Sequence, residues 1–134
     1  MLPGSRKKST VVFWNVQAFA SDLLKLTPQD CAFGVMPLAH VYAHTCLFST
    51  FLHVGGRIVL SPKFEAESAM RLMAREKVTV FMGVPTMYWT LLETPVPAGV
   101  DLSALRACVS GGQALPEEVH RRFEEKFGVL ISEG

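Results

Sequence analysis

The sequence is poor in cysteine, and the cysteines it has form no framework. Cys31, Cys46 and Cys108 are odd in number, widely separated, and each lies inside an apolar stretch. Such spacing supports neither a disulfide scaffold nor a zinc site. Small buried thiols of this kind are typical of a reducing compartment, so we expect a cytoplasmic protein.

Excess charge and long hydrophobic runs are also lacking. The formal net charge is +1, and the one basic run, Arg6 to Lys8, would neutralise too few phosphates for a nucleic-acid site. The longest apolar run, Thr45 to Val54, is interrupted by His53 and has about half the length of a membrane span. The first twenty residues imitate a signal peptide, but Asn15 and Gln17 interrupt the apolar part. We expect no nucleic-acid partner and no transmembrane segment.

Several common catalytic patterns are missing. No glycine-rich phosphate loop with its lysine occurs, and residues 3–8 have the right composition in the wrong order. Ser110 lacks the flanking residues of a nucleophile elbow, and Glu133 has no partner carboxylate for paired acid/base chemistry. These absences exclude the commonest nucleotide-hydrolysis, serine-hydrolase and two-carboxylate mechanisms.

Apolar residues are plentiful, and they alternate between two periodicities. Hydrophobic residues make up 49% of the 134 residues, enough for one buried core. Short apolar runs typical of strands alternate with segments of helical spacing, as in successive β-α units. The sequence therefore predicts an α/β fold with a layered parallel β-sheet, flanking helices and right-handed crossovers, as part of a larger domain.

The predicted elements follow from periodicity and from the Pro and Gly residues that bound them. Val78 to Val84 is the most β-like run and is predicted to be the central strand. The other predicted strands are 31–38, 57–60, 105–109 and 129–131, and the predicted helices are 15–26, 42–54, a segment around 66–77, 85–92 and 116–127. Apolar residues at helical spacing predict the buried faces of the first three helices, which are Val16, Phe19, Ala20 and Leu23, then Leu47, Phe48, Phe51 and Leu52, then Ala66, Ala69, Met70 and Met73.

A glycine turn stands between the fourth predicted strand and the last helix. Ser110, Gly111 and Gly112 follow the apolar run that starts at Leu105, and Pro116 is predicted to open the helix. Two glycines at the carboxyl end of a parallel strand let a ligand approach the backbone closely. A plain tight turn explains the same residues.

Two further strand ends carry residues suited to a ligand cleft. His40 and Tyr42 follow the first strand, although a capping histidine and a packing tyrosine explain them too. His40 and His44 are four residues apart, as in a partial metal site, but no third ligand lies nearby in sequence. Val84 to Trp89 follows the third strand and offers a Thr86 hydroxyl and apolar side chains, which core packing explains equally well.

Four stretches, taken together in order and spacing, carry a resemblance to a known family. They are Pro37-Leu38-Ala39-His40-Val41-Tyr42, Gly83-Val84-Pro85-Thr86-Met87-Tyr88, Val109-Ser110-Gly111-Gly112-Gln113-Ala114-Leu115-Pro116 and Ser132-Glu133-Gly134. The chain resembles the adenylate-forming (AMP-dependent) synthetase/ligase family, in particular bacterial-type fatty-acid or acyl-CoA ligases, in the middle of their large N-terminal domain.

The resemblance implies an enzyme that condenses a carboxylic acid, here a fatty acid, with ATP and passes the acyl group to coenzyme A. It implies ATP/AMP, Mg²⁺ and coenzyme A as cofactors or substrates. His40 would lie at the boundary between acyl-adenylate and thiol. The residues that would border the nucleotide and acyl group are Tyr42, Val84, Thr86, Ser110, Gly111, Gly112, Gln113, Ala114, Glu133 and Gly134.

The chain departs from the family pattern at both ends. Residues 1–14 form an atypical segment where the phosphate loop is expected, and residues 15–134 match a partial domain. The ligands for phosphate and Mg²⁺ are absent, which predicts that the isolated chain is inactive. An exposed sheet edge predicts self-association. A non-catalytic nucleotide-binding or interaction module and a segment of an amino-acid-activating adenylation domain remain alternatives.

Overall fold

The protein is built on a parallel five-stranded sheet with the strand order β2-β1-β3-β4-β5. The computed structural model describes residues 16–35, 40 and 43–133. The strands are β1 (Cys31–Gly34), β2 (Arg57–Leu60), β3 (Val80–Gly83), β4 (Ala107–Ser110) and β5 (Ile131–Glu133). The helices are α1 (Phe19–Leu23), α2 (Ala43–Ser49 continuing as Thr50–Val54), α3 (Ala66–Arg75), α4 (Pro85–Glu93) and α5 (Glu117–Phe127). The predicted α/β class and parallel sheet are confirmed.

The chain reverses its direction of winding between β1 and β3. From β1 it moves outward to β2, then crosses back over β1 to β3 and continues through β4 to β5. Parallel pairing joins β1 to both β2 and β3, and the predicted central strand indeed occupies the middle of the sheet. At such a reversal the chain segments that follow β1 and β3 run over opposite faces of the sheet, which opens a crevice at the carboxyl ends of these two strands.

Two apolar layers cover the sheet. On one face α3, α4 and α5 pack on the sheet through Met70, Tyr88 and Phe123, all of them buried. On the other face α1 and α2 contribute Leu24, Leu47 and Phe51. The alternation along β3 shows how one strand serves both layers, because Phe81 belongs to the first cluster while its neighbours Val80 and Met82 belong to the second.

The two helices on the second face differ from the prediction. Helix α1 is a π-helix, in which the Leu24 amide bonds to the Phe19 carbonyl five residues earlier at 3.1 Å. The wider turn changes which residues share a face. Ala20 and Leu24 are buried, whereas Leu23, predicted on the apolar face, is 50% exposed. The first part of α2 is also π-helical, and Leu52, predicted to be buried, is 64% exposed.

Smaller differences concern the ends of elements. Strand β1 ends at Gly34, four residues before the predicted end at 38, and residues 36–39 lie outside the described part of the chain. Pro116 precedes α5 as its N-cap residue instead of opening it. The predicted stop is confirmed: Gly128 has a φ of 70°, a left-handed conformation that glycine adopts without a side-chain clash.

A buried carboxylate ties the amino ends of three strands to the first helix. Asp30 is 5% exposed and accepts hydrogen bonds from Thr79 Oγ1 at 2.7 Å and from Arg106 Nη2 at 2.7 Å. Arg106 also donates to the Leu24 carbonyl at 3.0 Å. These bonds fix the end of the sheet opposite the glycine turn.

Candidate functional site

The carboxyl ends of β3 and β4 lie side by side and form the candidate site. Gly83 of β3 is in register with Ser110 of β4, so the segments that follow these strands emerge next to each other. The Gly111 amide donates to the Gly83 carbonyl at 3.1 Å, which extends the pairing one residue past the strand. Two stretches that are 27 residues apart in sequence are thereby brought together, as the strand-end pattern predicts.

A recess of about 350 Å³ lies between these two strand ends. It is lined by Val84, Pro85, Thr86, Gly111, Gly112 and Gln113. Of the residues predicted for the site, the structure therefore gathers Val84 and Thr86 from one stretch with Gly111, Gly112 and Gln113 from the other. Ala114 is exposed in the same loop but does not line this recess.

Gly112 is the residue that keeps the recess open. Its φ of 90° lies in the region that residues with a side chain rarely adopt. A Cβ placed there would meet only Val84 Cγ1, at 3.9 Å, so the space above the backbone is free. A planar or anionic group can approach the main chain at this point.

Ser110 carries an unsatisfied hydroxyl beside the recess. The residue is 1% exposed, and its Oγ is the one buried side-chain polar atom without a hydrogen-bond partner among the residues that the structure describes. Leaving a buried hydroxyl unpaired costs about 1 to 3 kcal/mol. A ligand or a water that bonded to it would remove this cost.

Glu133 lies next to Ser110 across the β4–β5 register, and its carboxylate is engaged within the chain. Its Oε1 accepts from the Leu115 amide at 3.1 Å and lies 2.9 Å from His120 Nε2. The His120 hydrogen bond and then the Leu115 bond lower the pKa of Glu133 below its usual range. His120 is a functional candidate that the sequence does not reveal, because no local pattern marks its pairing with Glu133, thirteen residues further on.

The aromatic residues after β3 separate into a core residue and a surface residue. Tyr88 is fully buried, and its hydroxyl donates to the Val109 carbonyl at 2.7 Å, so core packing explains it. Trp89 is 45% exposed and lines a second, mostly apolar recess of about 390 Å³ together with Pro85, Thr86, Thr90, Pro116 and Val119. Pro85 and Thr86 line both recesses, which are therefore adjacent.

The remaining predicted site residues are only partly within the described chain. His40 is exposed, and its carbonyl accepts the His44 amide at 2.9 Å. Tyr42 and Gly134 lie outside the described residues, so their predicted places stay predictions.

The resemblance implies a Mg²⁺ ion, for which the described residues form no cluster of three ligands. Across residues 16–35, 40 and 43–133 no three His, Cys, Asp or Glu side chains come together as metal ligands. The carboxylate at the rim, Glu133, is already bonded to Leu115 and His120. Within the same described residues, no helix is long and apolar enough to cross a membrane.

Comparisons with known proteins agree with this architecture. The chain is 37% identical over 101 residues to a long-chain-fatty-acid–CoA ligase of Bacillus subtilis (strain 168) and 33% identical over 119 residues to a benzoate–CoA ligase of Thauera aromatica. These matches cover 75% and 88% of this chain but only 18% and 23% of the relatives. The crystal structure of the anthranilate CoA ligase AuaEII in complex with anthranoyl-AMP superposes with a TM-score of 0.84, at 29% identity, over 92% of this chain and 24% of that one.

The family assignment rests on a match along nearly the whole chain. The chain spans about a fifth of the length of the two curated relatives, so it corresponds to one part of such a ligase. Its parallel sheet and flanking helices are those of the solved ligase structure over almost all of its length. The profile of one family, described as AMP-binding enzyme, matches residues 9–134, and the chain belongs to that family.

Proposed function

We propose that this chain supplies one wall of the acyl-adenylate site of an acyl-CoA ligase. The observation that carries the proposal is the recess between the ends of β3 and β4, where Gly112 leaves the backbone accessible opposite Val84 and Thr86. The flat adenine ring, or the planar carboxyl part of the acyl-phosphate linkage, suits an opening floored by main chain. The unpaired Ser110 hydroxyl gives this wall an additional polar group.

The proposed reaction joins a carboxylate to the α-phosphate of ATP with release of pyrophosphate, and then transfers the acyl group to the thiol of coenzyme A with release of AMP. Adenylation converts a carboxylate oxygen into a good leaving group. In this scheme the residues from Ser110 to Ala114, together with Val84 and Thr86, orient the adenylate and exclude water from one side. His40 stands at the boundary with the thiol, and Glu133 borders the site at the same rim, where its carboxylate is bonded to the Leu115 amide. Tyr42 and Gly134 complete the proposed set.

A fatty acid is the proposed substrate. The apolar recess beside Trp89, Pro116 and Val119 adjoins the first recess through Pro85 and Thr86 and would accept a hydrocarbon chain. The relatives named above act on long-chain fatty acids in one case and on benzoate in the other, so both acyl types require testing. We expect a dodecanoyl-adenylate analogue to bind more tightly than a benzoyl one, and the reverse order would overturn the fatty-acid assignment.

The isolated chain is proposed to bind without catalysing. Its curated relatives are about four times as long, and its described residues gather no ligand set for Mg²⁺. Acid-dependent release of pyrophosphate by the purified chain would contradict this proposal.

Backbone NMR during titration with a non-hydrolysable acyl-adenylate analogue tests the location of the site. We expect the largest shift changes at residues 84–86 and 110–114. Residues 98–101, 103 and 104, which lie before β4 and line a separate cavity with Arg71 and Lys77, serve as the internal control, and their signals should not shift. Changes confined to the control region would contradict the proposed site.

A further inference from the structure

The loop from Gly111 to Pro116, called here the glycine loop, is anchored at both of its ends. At its start the Gly111 amide bonds to the Gly83 carbonyl of β3. At its other end the Leu115 amide bonds to Oε1 of Glu133, a residue 18 positions later on β5. Gly112, Gln113 and Ala114 lie exposed between these two anchors. The position of the exposed part therefore depends on both bonds.

The second anchor is a side chain that is itself held in place. Glu133 continues the parallel register opposite Ser110, so its backbone is fixed by β5. Its Oε1 receives a second hydrogen bond from His120 Nε2 at 2.9 Å, in the first two turns of α5. One carboxylate oxygen thus joins the end of β5, the end of the glycine loop and the start of α5. Charge-assisted hydrogen bonds of this type are stronger and more directional than neutral ones.

We propose that Glu133 is a positioning residue, which fixes the glycine loop through the Leu115 amide and is oriented in turn by His120. The benefit of this anchoring for ligand binding rests on the proposed function, whereas the anchoring itself is a property of the chain alone. Gly112 has a φ of 90° and open space around it, so without the anchor the loop gains conformational freedom. A ligand would then have to order the loop on binding, at a cost in affinity.

Hydrogen exchange of the Leu115 amide tests the anchor without any ligand. In the wild-type chain this amide is expected to exchange more slowly than an unprotected amide. Glu133→Ala is expected to accelerate its exchange about tenfold, because one charge-assisted hydrogen bond is lost. Glu133→Gln keeps a carbonyl oxygen at the same place and is expected to restore most of the protection. Glu125→Ala is the matched control, because Glu125 pairs only with Arg121 on the exposed surface of α5.

Three exchange results would overturn the anchor. The first is an unprotected Leu115 amide in the wild-type chain, which needs no variant and so does not depend on any variant folding. The second is a Leu115 rate that is unchanged in Glu133→Ala while the amides of β3 and β4 keep their protection. Equal acceleration by Glu125→Ala would also overturn it, because the effect would then not depend on contact with the loop.

Affinity measurements with an acyl-adenylate analogue distinguish the anchoring of the loop from the proposed function. If both proposals hold, Glu133→Ala lowers the affinity for an acyl-adenylate analogue about tenfold and Glu133→Gln restores most of it, because only the order of the loop has changed. An anchored loop with no binding by the wild-type chain overturns the proposed function and leaves the anchor standing. Equal affinity of the wild type and Glu133→Ala overturns the positioning role.

Discussion

At the scale of single residues, Asp30 shows how a buried charge is made stable. Its carboxylate has lost most of its contact with water, and this burial alone would raise the pKa of Asp30. Hydrogen bonds from Arg106, from the Thr27 amide and from Thr79, together with the Arg106 charge, outweigh the burial and lower the pKa. The carboxylate is therefore more acidic in the folded chain than in the unfolded one.

We predict a pH-dependent contribution of Asp30 to stability. Because the folded pKa lies below the unfolded value, the contribution is present at neutral pH and is lost as the pH falls below about 4. Asp30→Asn should lower the free energy of unfolding by about 1 to 3 kcal/mol at pH 7 and by much less near pH 2. Urea unfolding followed by circular dichroism at several pH values measures this. Glu67→Gln, which breaks an exposed ion pair with Arg71, is the control. If the difference in unfolding free energy between the wild type and Asp30→Asn does not shrink in acid, the prediction is contradicted.

A second prediction for a single residue concerns the Tyr88 hydroxyl. It donates into the sheet, to the Val109 carbonyl at 2.7 Å, and has the Phe81 carbonyl 3.2 Å away. Tyr88→Phe keeps the ring but removes the donor and should lower the free energy of unfolding by about 1 to 2 kcal/mol. Trp89→Phe, at an exposed neighbouring position, should change it by about half a kcal/mol or less. An equal effect of both variants in urea unfolding would contradict this role.

The sequence predicted residue types at the strand ends well and their contacts poorly. Gly112 was identifiable, because a glycine after an apolar run marks a backbone that needs unusual freedom. Tyr88 could not be assigned to core or recess from its neighbours, since both roles fit an aromatic at the start of a helix. The bonds from Glu133 to Leu115 and His120 depend on how β5 lies beside β4, which no local pattern contains.

At the scale of elements, helix periodicity was reliable wherever the helix is a regular α-helix. Ala66, Ala69, Met70 and Met73 are buried on one face of α3 as predicted. The prediction for α1 and α2 was right for Val16, Ala20, Leu47 and Phe51, which are buried, and wrong for Leu23 and Leu52, which are exposed. Both helices contain π-helical turns, and a wider turn changes which residues share a face. The sheet order likewise requires knowledge of which strands pair, and only the placement of β3 at the centre followed from its apolar composition.

Gly112, in the turn after β4, and Gly99, in the loop between α4 and β4, provide a matched pair of glycine variants. Gly112 has a φ of 90°, and a Cβ added there would meet no atom closer than 3.9 Å. Gly99 has a φ of 78°, and a Cβ added there would meet no atom within 4 Å. Gly112→Ala and Gly99→Ala should each lower the free energy of unfolding by about 1 kcal/mol from backbone strain. Only Gly112→Ala should also weaken binding of an acyl-adenylate analogue in calorimetry, because Gly99 lies away from the recess. Equal affinities of the two variants would contradict the assigned role of Gly112.

At the scale of the whole molecule, the sheet presents apolar groups near both outer strands. Leu60 of β2 is 58% exposed and Leu130, just before β5, is 68% exposed. Within the described chain β2 and β5 are the outermost strands, and an outermost strand offers unpaired backbone groups to another chain. The predicted self-association would use these edges.

Sedimentation velocity over a range of concentrations tests that prediction. We expect the wild-type chain to associate as its concentration rises, and the double variant Leu60→Lys/Leu130→Lys to remain monomeric, since edge lysines oppose pairing. Leu52→Lys is the control, because Leu52 is 64% exposed on α2 and offers no strand edge. A wild-type chain that is monomeric at all concentrations, or a control variant as effective as the edge variant, would contradict it.

The rim of β3 and β4 is proposed to form a wall for an acyl-adenylate. Isothermal titration of the purified chain with a non-hydrolysable acyl-adenylate analogue and, separately, with ATP tests this role most directly. We expect the analogue to bind at least about tenfold more tightly than ATP, since only the analogue places both acyl and adenosine groups against this wall. Binding of ATP that equals or exceeds that of the analogue would indicate a plain nucleotide-binding module, and that result, or no binding of the analogue, would contradict the proposed role.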